Sequence, residues 1–200
     1  MPQLVYDTII TDPVWPNNTV NEFYDINPQK LYDEFCGLIK AKRLAVHMGC
    51  DSNPSFLQRT PLPFFRVMWL KYALPGFKGR LLQGSDVAYL FGEPPKSRKG
   101  NHLIAGECVS AKTGKFPGHP CPRNIDHVSF LCDKWSDKDD VILDPFMGVG
   151  TTLAAAKYVG KRAIGIERNE RFCEVAVGRL QQESLFLPAQ MEVVFDEDGN

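Results

Sequence analysis

The first stretch in which residue type and spacing imply chemistry is VILDPFMGVGTT, Val141 to Thr152, a glycine-rich loop between an apolar run and an alanine-rich segment. Glycines let backbone come close to a ligand, and the unpaired N–H groups of a helix start face whatever lies in such a loop. Asp144, Pro145, Phe146, Gly148, Gly150 and Thr151 are therefore candidate cradle residues. Glu167 follows Gly148 by about 20 residues, where an acid at the end of the next strand can accept both hydroxyls of a ribose. A dinucleotide site would place a third glycine where this chain has Leu153. The spacing fits an adenosine without a pyrophosphate better.

The second such stretch is Asp12-Pro13-Val14-Trp15. An exocyclic amino group on adenine or cytosine is a poor nucleophile, because its lone pair is delocalised into the ring. A site that uses it must draw on its hydrogens and hold the ring plane. A carboxylate (Asp12) and a backbone carbonyl (Pro13) suit the first task, and an aromatic face (Trp15) suits the second by stacking. Taken alone, D-P-x-W is a common turn sequence. Its weight comes from standing at the end of an apolar run, where open α/β sheets put their ligands.

Several elements must position these residues. Val5 to Thr11 reads as a buried strand stopped by Pro13, and Asn27 with Pro28 caps a helix carrying Leu31, Phe35, Leu38 and Ile39. Leu44 to Met48 is the next strand, which completes a parallel βαβ unit. Phe64 to Lys71 and Val87 to Gly92 read as a wide antiparallel hairpin around a loop with Pro75, Gly76 and Gly79. Pro94 to Pro122 reads as the longest irregular segment. Asn124 caps a helix with Ile125, Val128, Leu131 and Trp135 on one face. A second βαβ unit follows: strand Val141 to Asp144, helix Thr151 to Val159 ended by Gly160, strand Arg162 to Glu167, and a helix capped by Asn169 with Phe172, Val175, Ala176 and Leu180. Gln190 to Phe195 is a candidate final strand, and Asp196 to Asn200 a frayed tail.

The expected fold is thus α/β, Rossmann-like, with a mostly parallel seven-stranded sheet, one antiparallel hairpin and helices on both faces, as a single domain over 1–200. His47, Trp69 and Trp135 are expected in the core. The six cysteines form no C-x-x-C pair, so reduced thiols are expected rather than a zinc knuckle or a disulfide framework. No metal is expected. The absence of a long apolar run or a signal-like start predicts a cytoplasmic protein with no membrane segment.

The net charge is -1, yet from Arg66 to Arg123 there are 10 Lys+Arg against 3 Asp+Glu, and elsewhere 13 against 21. A basic middle hints at a polyanion-facing surface. Lys96, Arg98, Lys99, Lys112 and Lys115 are the candidate phosphate contacts, with His102 beside them.

The two motifs together resemble the DNA amino-methyltransferases, the adenine-N6 and cytosine-N4 family. DPVW is similar to the family's (D/N/S)PP(Y/F/W) catalytic motif, DPFMGVGTT through Glu167 to its cofactor motif, and His119 to Arg123 (HPCPR) to its HP-x-x-K segment. Catalytic motif first and cofactor motif last is the beta-group order. The resemblance, over roughly residues 5 to 180, implies S-adenosylmethionine as cofactor, with His119 beside it, and DNA as substrate, adenine N6 favoured by the leading Asp; the alternatives are cytosine N4, adenosine N6 in RNA, and a catalytically inactive nucleic-acid-binding subunit. Three departures stand out. Val14 replaces the second proline, and the G-D strand that often precedes the catalytic motif is missing, so Gln190 to Phe195 is expected to supply it. The target-reading region shrinks to about 96–118, which implies sparse recognition or recognition shared with a second subunit as a homodimer. Gln182, Leu185 and Phe186, expected just after the last helix, resemble the Q-x-x-L-F peptides that bind bacterial sliding clamps; the competing reading folds Leu185 and Phe186 back onto the core.

Overall fold

A computed structural model of the chain describes residues 6–16, 26–78, 80–96, 106–110 and 123–186. Seven strands form one sheet: β1 Thr8–Thr11, β2 Arg43–Gly49, β3 Phe64–Lys78, β4 Leu81–Gly92, β5 Glu107–Ser110, β6 Val141–Asp144 and β7 Arg162–Gly165, in the order β5-β3-β4-β2-β1-β6-β7. Only β4 runs against both its neighbours; every other pairing is parallel. The carboxyl ends of the six remaining strands therefore share one edge of the sheet.

The helices are α1 Pro28–Cys36, α2 Ile125–Lys134, α3 Thr151–Tyr158 and α4 Glu170–Phe186. The caps are those the sequence implies. The Asn27 side chain accepts from the Lys30 N–H with Pro28 in the first turn, and that of Asn124 accepts from the Asp126 N–H. Asn169 does the same for the Arg171 N–H at 3.0 Å. Tyr32, Phe35 and Cys36 of α1 pack on one sheet face with Ile9, Leu44, Val46 and Met48. Leu131 and Trp135, with Ala155 of α3, pack on the other against Ile10, Ala45, Met68 and Leu90. The sheet is buried on both sides at its centre, which is why β2 is buried at every position.

The hairpin is longer than its sequence suggests. Pro75 and Gly76 lie inside β3 rather than in a loop, because the register slips between Lys71, opposite Ser85, and Gly76, opposite Gln83. A bulge takes up the extra residues, proline included, that a regular ladder could not hold. The supposed irregular segment also contains a strand, since β5 pairs parallel with β3 from Trp69↔Glu107 to Tyr72↔Ser110. It is the seventh strand among the described residues; Gln190 to Phe195, the candidate final strand, lies outside them, as does the tail 196–200. Trp69 is 47% exposed rather than core, because Met68 and Leu70 take the inner face and alternation turns it outward. Trp135 is fully buried, and buried His47 meets Asp86 through Nε2 at 3.3 Å.

The opposite, amino end of the sheet is closed by an ionic cluster. The buried Arg43 guanidinium binds Asp140 and Asp137, and the Thr8 hydroxyl donates to Asp140 at 2.7 Å. Cys36, Cys108, Cys132 and Cys173 are free thiols. No helix among the described residues is long and apolar enough to cross a membrane.

Candidate active site

The two motifs meet where β1 and β6 lie side by side. Thr11, the last residue of β1, donates its hydroxyl to Asp144 Oδ1 at 2.8 Å, and Asp12 is the next residue. Asp144 ends β6 and also accepts the Phe146 N–H at 3.1 Å, which fixes the first turn of the glycine loop. Gly148 (φ 51) and Gly150 (φ 78) hold left-handed backbone that favours glycine. At Gly150 a Cβ would also fall 2.9 Å from Ala176 Cβ on α4. The Glu167 carboxylate accepts the Gly148 N–H at 3.0 Å and the Asn169 N–H at 2.8 Å. It thus stands beside the loop, tying it to the end of β7, and Thr151 begins α3 with its hydroxyl bound to Arg179 at 2.9 Å. Pro145 follows in the same turn, and the Phe146 ring meets Phe35 edge-on at 5.5 Å.

Burial pushes the Asp144 carboxyl up to about 6, against hydrogen bonds from Thr152, Thr11 and Phe146 that lower it. The protonated form is thus favoured in the fold. Its stabilising contribution is complete below the ordinary value of 3.8 and is lost as pH rises through about 6. Asp144→Asn should accordingly match the parent in stability in acid and exceed it near neutrality, by up to about 3 kcal/mol. Denaturant midpoints measured across that range check this. A stability difference that does not change with pH would refute it.

At the DPVW motif, Asp12 is half-buried, Pro13 is buried and Trp15 packs into the fold. Gly49 at the end of β2 makes room for the ring, since a Cβ there would come 2.8 Å from Trp15 Cζ3. Asp12 does not stand alone. Both its oxygens are held by Arg123, Nε to Oδ2 at 2.6 Å and Nη2 to Oδ1 at 3.0 Å, while Nη1 reaches Asp86 Oδ2 at 3.1 Å. The same guanidinium lies 4.1 Å above the Trp15 ring. Asp86, on β4, also accepts from Tyr72 at 2.6 Å and Gln83 at 3.1 Å. Burial would raise its carboxyl, but His47, Arg123 and Tyr72 together hold it well below the usual carboxylate range.

Arg123, Asp86 and Gly49 are the site residues that the sequence did not yield. Arg123 was legible only as the last residue of HPCPR, where the resemblance has a lysine. Asn124 next to it binds Ser110 of β5 at 2.8 Å, so β5 and the start of α2 come together at the end of the sheet that carries Asp12. Lys96, by contrast, is exposed at the other end, its backbone N–H on Asp137 at 2.9 Å, and the fold does not bring it near Asp12. Arg98, Lys99, His102, Lys112, Lys115 and His119 lie outside the described residues. Gln182, Leu185 and Phe186 fall within the last turns of α4 rather than after it.

A seven-stranded sheet with one reversed strand, a glycine cradle after β6 and an acid after β7 defines a Rossmann-like methyltransferase fold. Solved structures share it: the complex of M1.HpyAVI with SAM superposes with a TM-score of 0.68 at 19% identity, covering 88% of this chain and 89% of that one. Residues 82–178 match the family described as DNA methylase. Type II methyltransferase M.HinfI of Haemophilus influenzae is 51% identical over 47 residues, 24% of this chain and 13% of that protein. Type II methyltransferase M.ScaI of Streptomyces caespitosus is 49% identical over 60 residues, 30% of this chain and 19% of that protein. The matches thus span under a fifth of the length of these relatives. Over residues 82–178 the chain is thus similar to the DNA amino-methyltransferases, adenine-N6 or cytosine-N4.

Proposed function

We propose that the chain transfers a methyl group from S-adenosylmethionine to the exocyclic amino nitrogen of a DNA base, with adenine N6 the favoured acceptor. The observation that carries this is the Thr11–Asp144 hydrogen bond, which sets the catalytic motif directly against the cofactor cradle. The cradle suits an adenosine: left-handed glycines at Gly148 and Gly150 turn the loop after β6, Glu167 offers carboxylate oxygens, and Ile166 beside it is 50% exposed and offers apolar surface to a purine. When bound, the cofactor supplies an electrophilic methyl on sulfonium. Asp12 and the Pro13 carbonyl would accept the amino hydrogens, bringing the nitrogen lone pair out of conjugation; as the N–C bond forms, the methyl–sulfur bond would break to leave a neutral thioether, and one amino proton would pass by way of Asp12 to solvent. Trp15 would hold the ring plane by stacking, which on typical surfaces is worth roughly 1–3 kcal/mol per base. Catalysis here is positioning and electrostatics.

Lys112 and Lys115 are assigned to the phosphates, since they lie in sequence between Ser110 and Arg123, both at the catalytic end. Clamp recruitment through Gln182, Leu185 and Phe186, and pairing of two copies to share target reading, belong to the same proposal. Nucleoside mass spectrometry after incubation of DNA and RNA with the protein and labelled S-adenosylmethionine tests the reaction. Labelled N6-methyladenine from DNA is expected. Label in N4-methylcytosine would move the acceptor, label in RNA alone would move the substrate, and none would remove the activity.

A further inference from the structure

The two groups that would hold a base, the Asp12 carboxylate and the Trp15 ring, are both engaged by one side chain. The Arg123 guanidinium is planar, carries its N–H donors in that plane, spans both Asp12 oxygens and lies 4.1 Å above the indole. The amino edge of adenine or cytosine presents the same features: a flat π-system with in-plane N–H donors. The two cannot share the ring face and the carboxylate at once. We propose that Arg123 holds the place of the target base, and that base entry shifts its guanidinium off Asp12 and Trp15 while Asp86 retains it.

Asp86 is built for the second position. It is 1% exposed, and besides Arg123 Nη1 it is hydrogen-bonded by His47, Tyr72 and Gln83. A buried carboxylate with that many donors stays charged and keeps an anchor for the arginine when Asp12 is taken. Released from Asp12, Nε and Nη2 can donate to another acceptor, such as a nucleic-acid phosphate. Until a base arrives, the guanidinium neutralises Asp12 and covers the indole. A base must therefore displace it, which lowers apparent affinity and favours bases delivered by the rest of the substrate over free ones. A lysine, as in the HP-x-x-K segment this region resembles, would neutralise Asp12 without matching the flat shape.

The inference rests on the reading that Asp12 and Trp15 hold the base, and binding tests it separately from catalysis. Adenosine 5′-monophosphate and cytidine 5′-monophosphate are titrated by calorimetry into the parent, Arg123→Gln and Arg123→Lys, with melting temperature recorded for each. Arg123→Gln should bind one of the nucleotides at least ~10-fold more tightly than the parent, and Arg123→Lys by an intermediate factor. Adding Trp15→Ala to Arg123→Gln should remove the gain. Equal or weaker binding in the variants overturns the proposal; if Arg123→Gln does not fold, Arg123→Lys decides, because it keeps a cation beside Asp86. Tighter binding with no methyl transfer by the parent would retain the place-holder and reject the activity. Methyl transfer without tighter binding would do the reverse.

Discussion

Asp12→Ala is expected to lower methyl transfer by roughly 100-fold or more while S-adenosylmethionine affinity stays within a few-fold of the parent. The carboxylate would act on the amino group; losing one preorganised hydrogen-bond donor from an oxyanion hole costs a factor of about 10²–10³, and a comparable loss is expected for this acceptor. Asp12 is separated from the cradle by the Thr11–Asp144 hydrogen bond, which the substitution leaves intact. It also releases Arg123 from two of its contacts, so binding of cofactor and of DNA must be measured beside the rate. Asp12→Asn is the milder comparison: it keeps the shape and one acceptor oxygen for Arg123, and loses the charge and the second contact. Retention of more than about a tenth of the parent rate, under ~1.4 kcal/mol of barrier, would mean that the carboxylate does not act on the acceptor.

The second large effect is expected at the cradle. Gly148→Val puts a β-branched side chain on backbone at φ 51, which is strained for any residue but glycine and disfavoured further by branching. Glu167→Ala removes the acceptor of the Gly148 and Asn169 N–H groups together with the carboxylate proposed to meet the ribose. Leaving such groups unpaired costs about 1–3 kcal/mol, so each variant should weaken S-adenosylmethionine binding by roughly 10-fold or more. Calorimetry on the folded variants decides it. Parent-like affinity in both would move the cofactor elsewhere, and tighter binding of a nicotinamide nucleotide than of S-adenosylmethionine would change its identity.

Most of the elements that build this site are legible because their signals are local. Asn27-Pro28, Asn124 and Asn169 announce helix starts within three residues of the backbone groups they cap. VILD and the glycines after it mark a strand, a loop and a helix in sequence. The hairpin misleads for a reason that is also local: Pro75 and Gly76 look like loop punctuation, and nothing nearby says that a bulge absorbs them. Strand β5 is only Glu107–Ser110, too short for alternation to stand out between lysines and glycines. Arg123 shows the limit most clearly. Its contacts with Asp12 and Asp86 join residues 111 and 37 positions away, and no spacing within HPCPR encodes either.

The hydrogen bond from Thr11 to Asp144 spans 133 positions of chain. Bringing such distant segments together is entropically costly, and topologies dominated by non-local pairing fold slowly. Strand β1 is stitched between β2 and β6, so this central seam can close only after the chain has been synthesised as far as β6 and β6 has been brought alongside. A ribosome making the chain would expose DPVW long before its partner strand exists. Residues 82–178, the stretch similar to the family, contain the cradle and no part of β1. A fragment cut to those limits would hold one wall of the cleft and lack the other, and its strand β6 would present a bare hydrogen-bonding edge where β1 belongs.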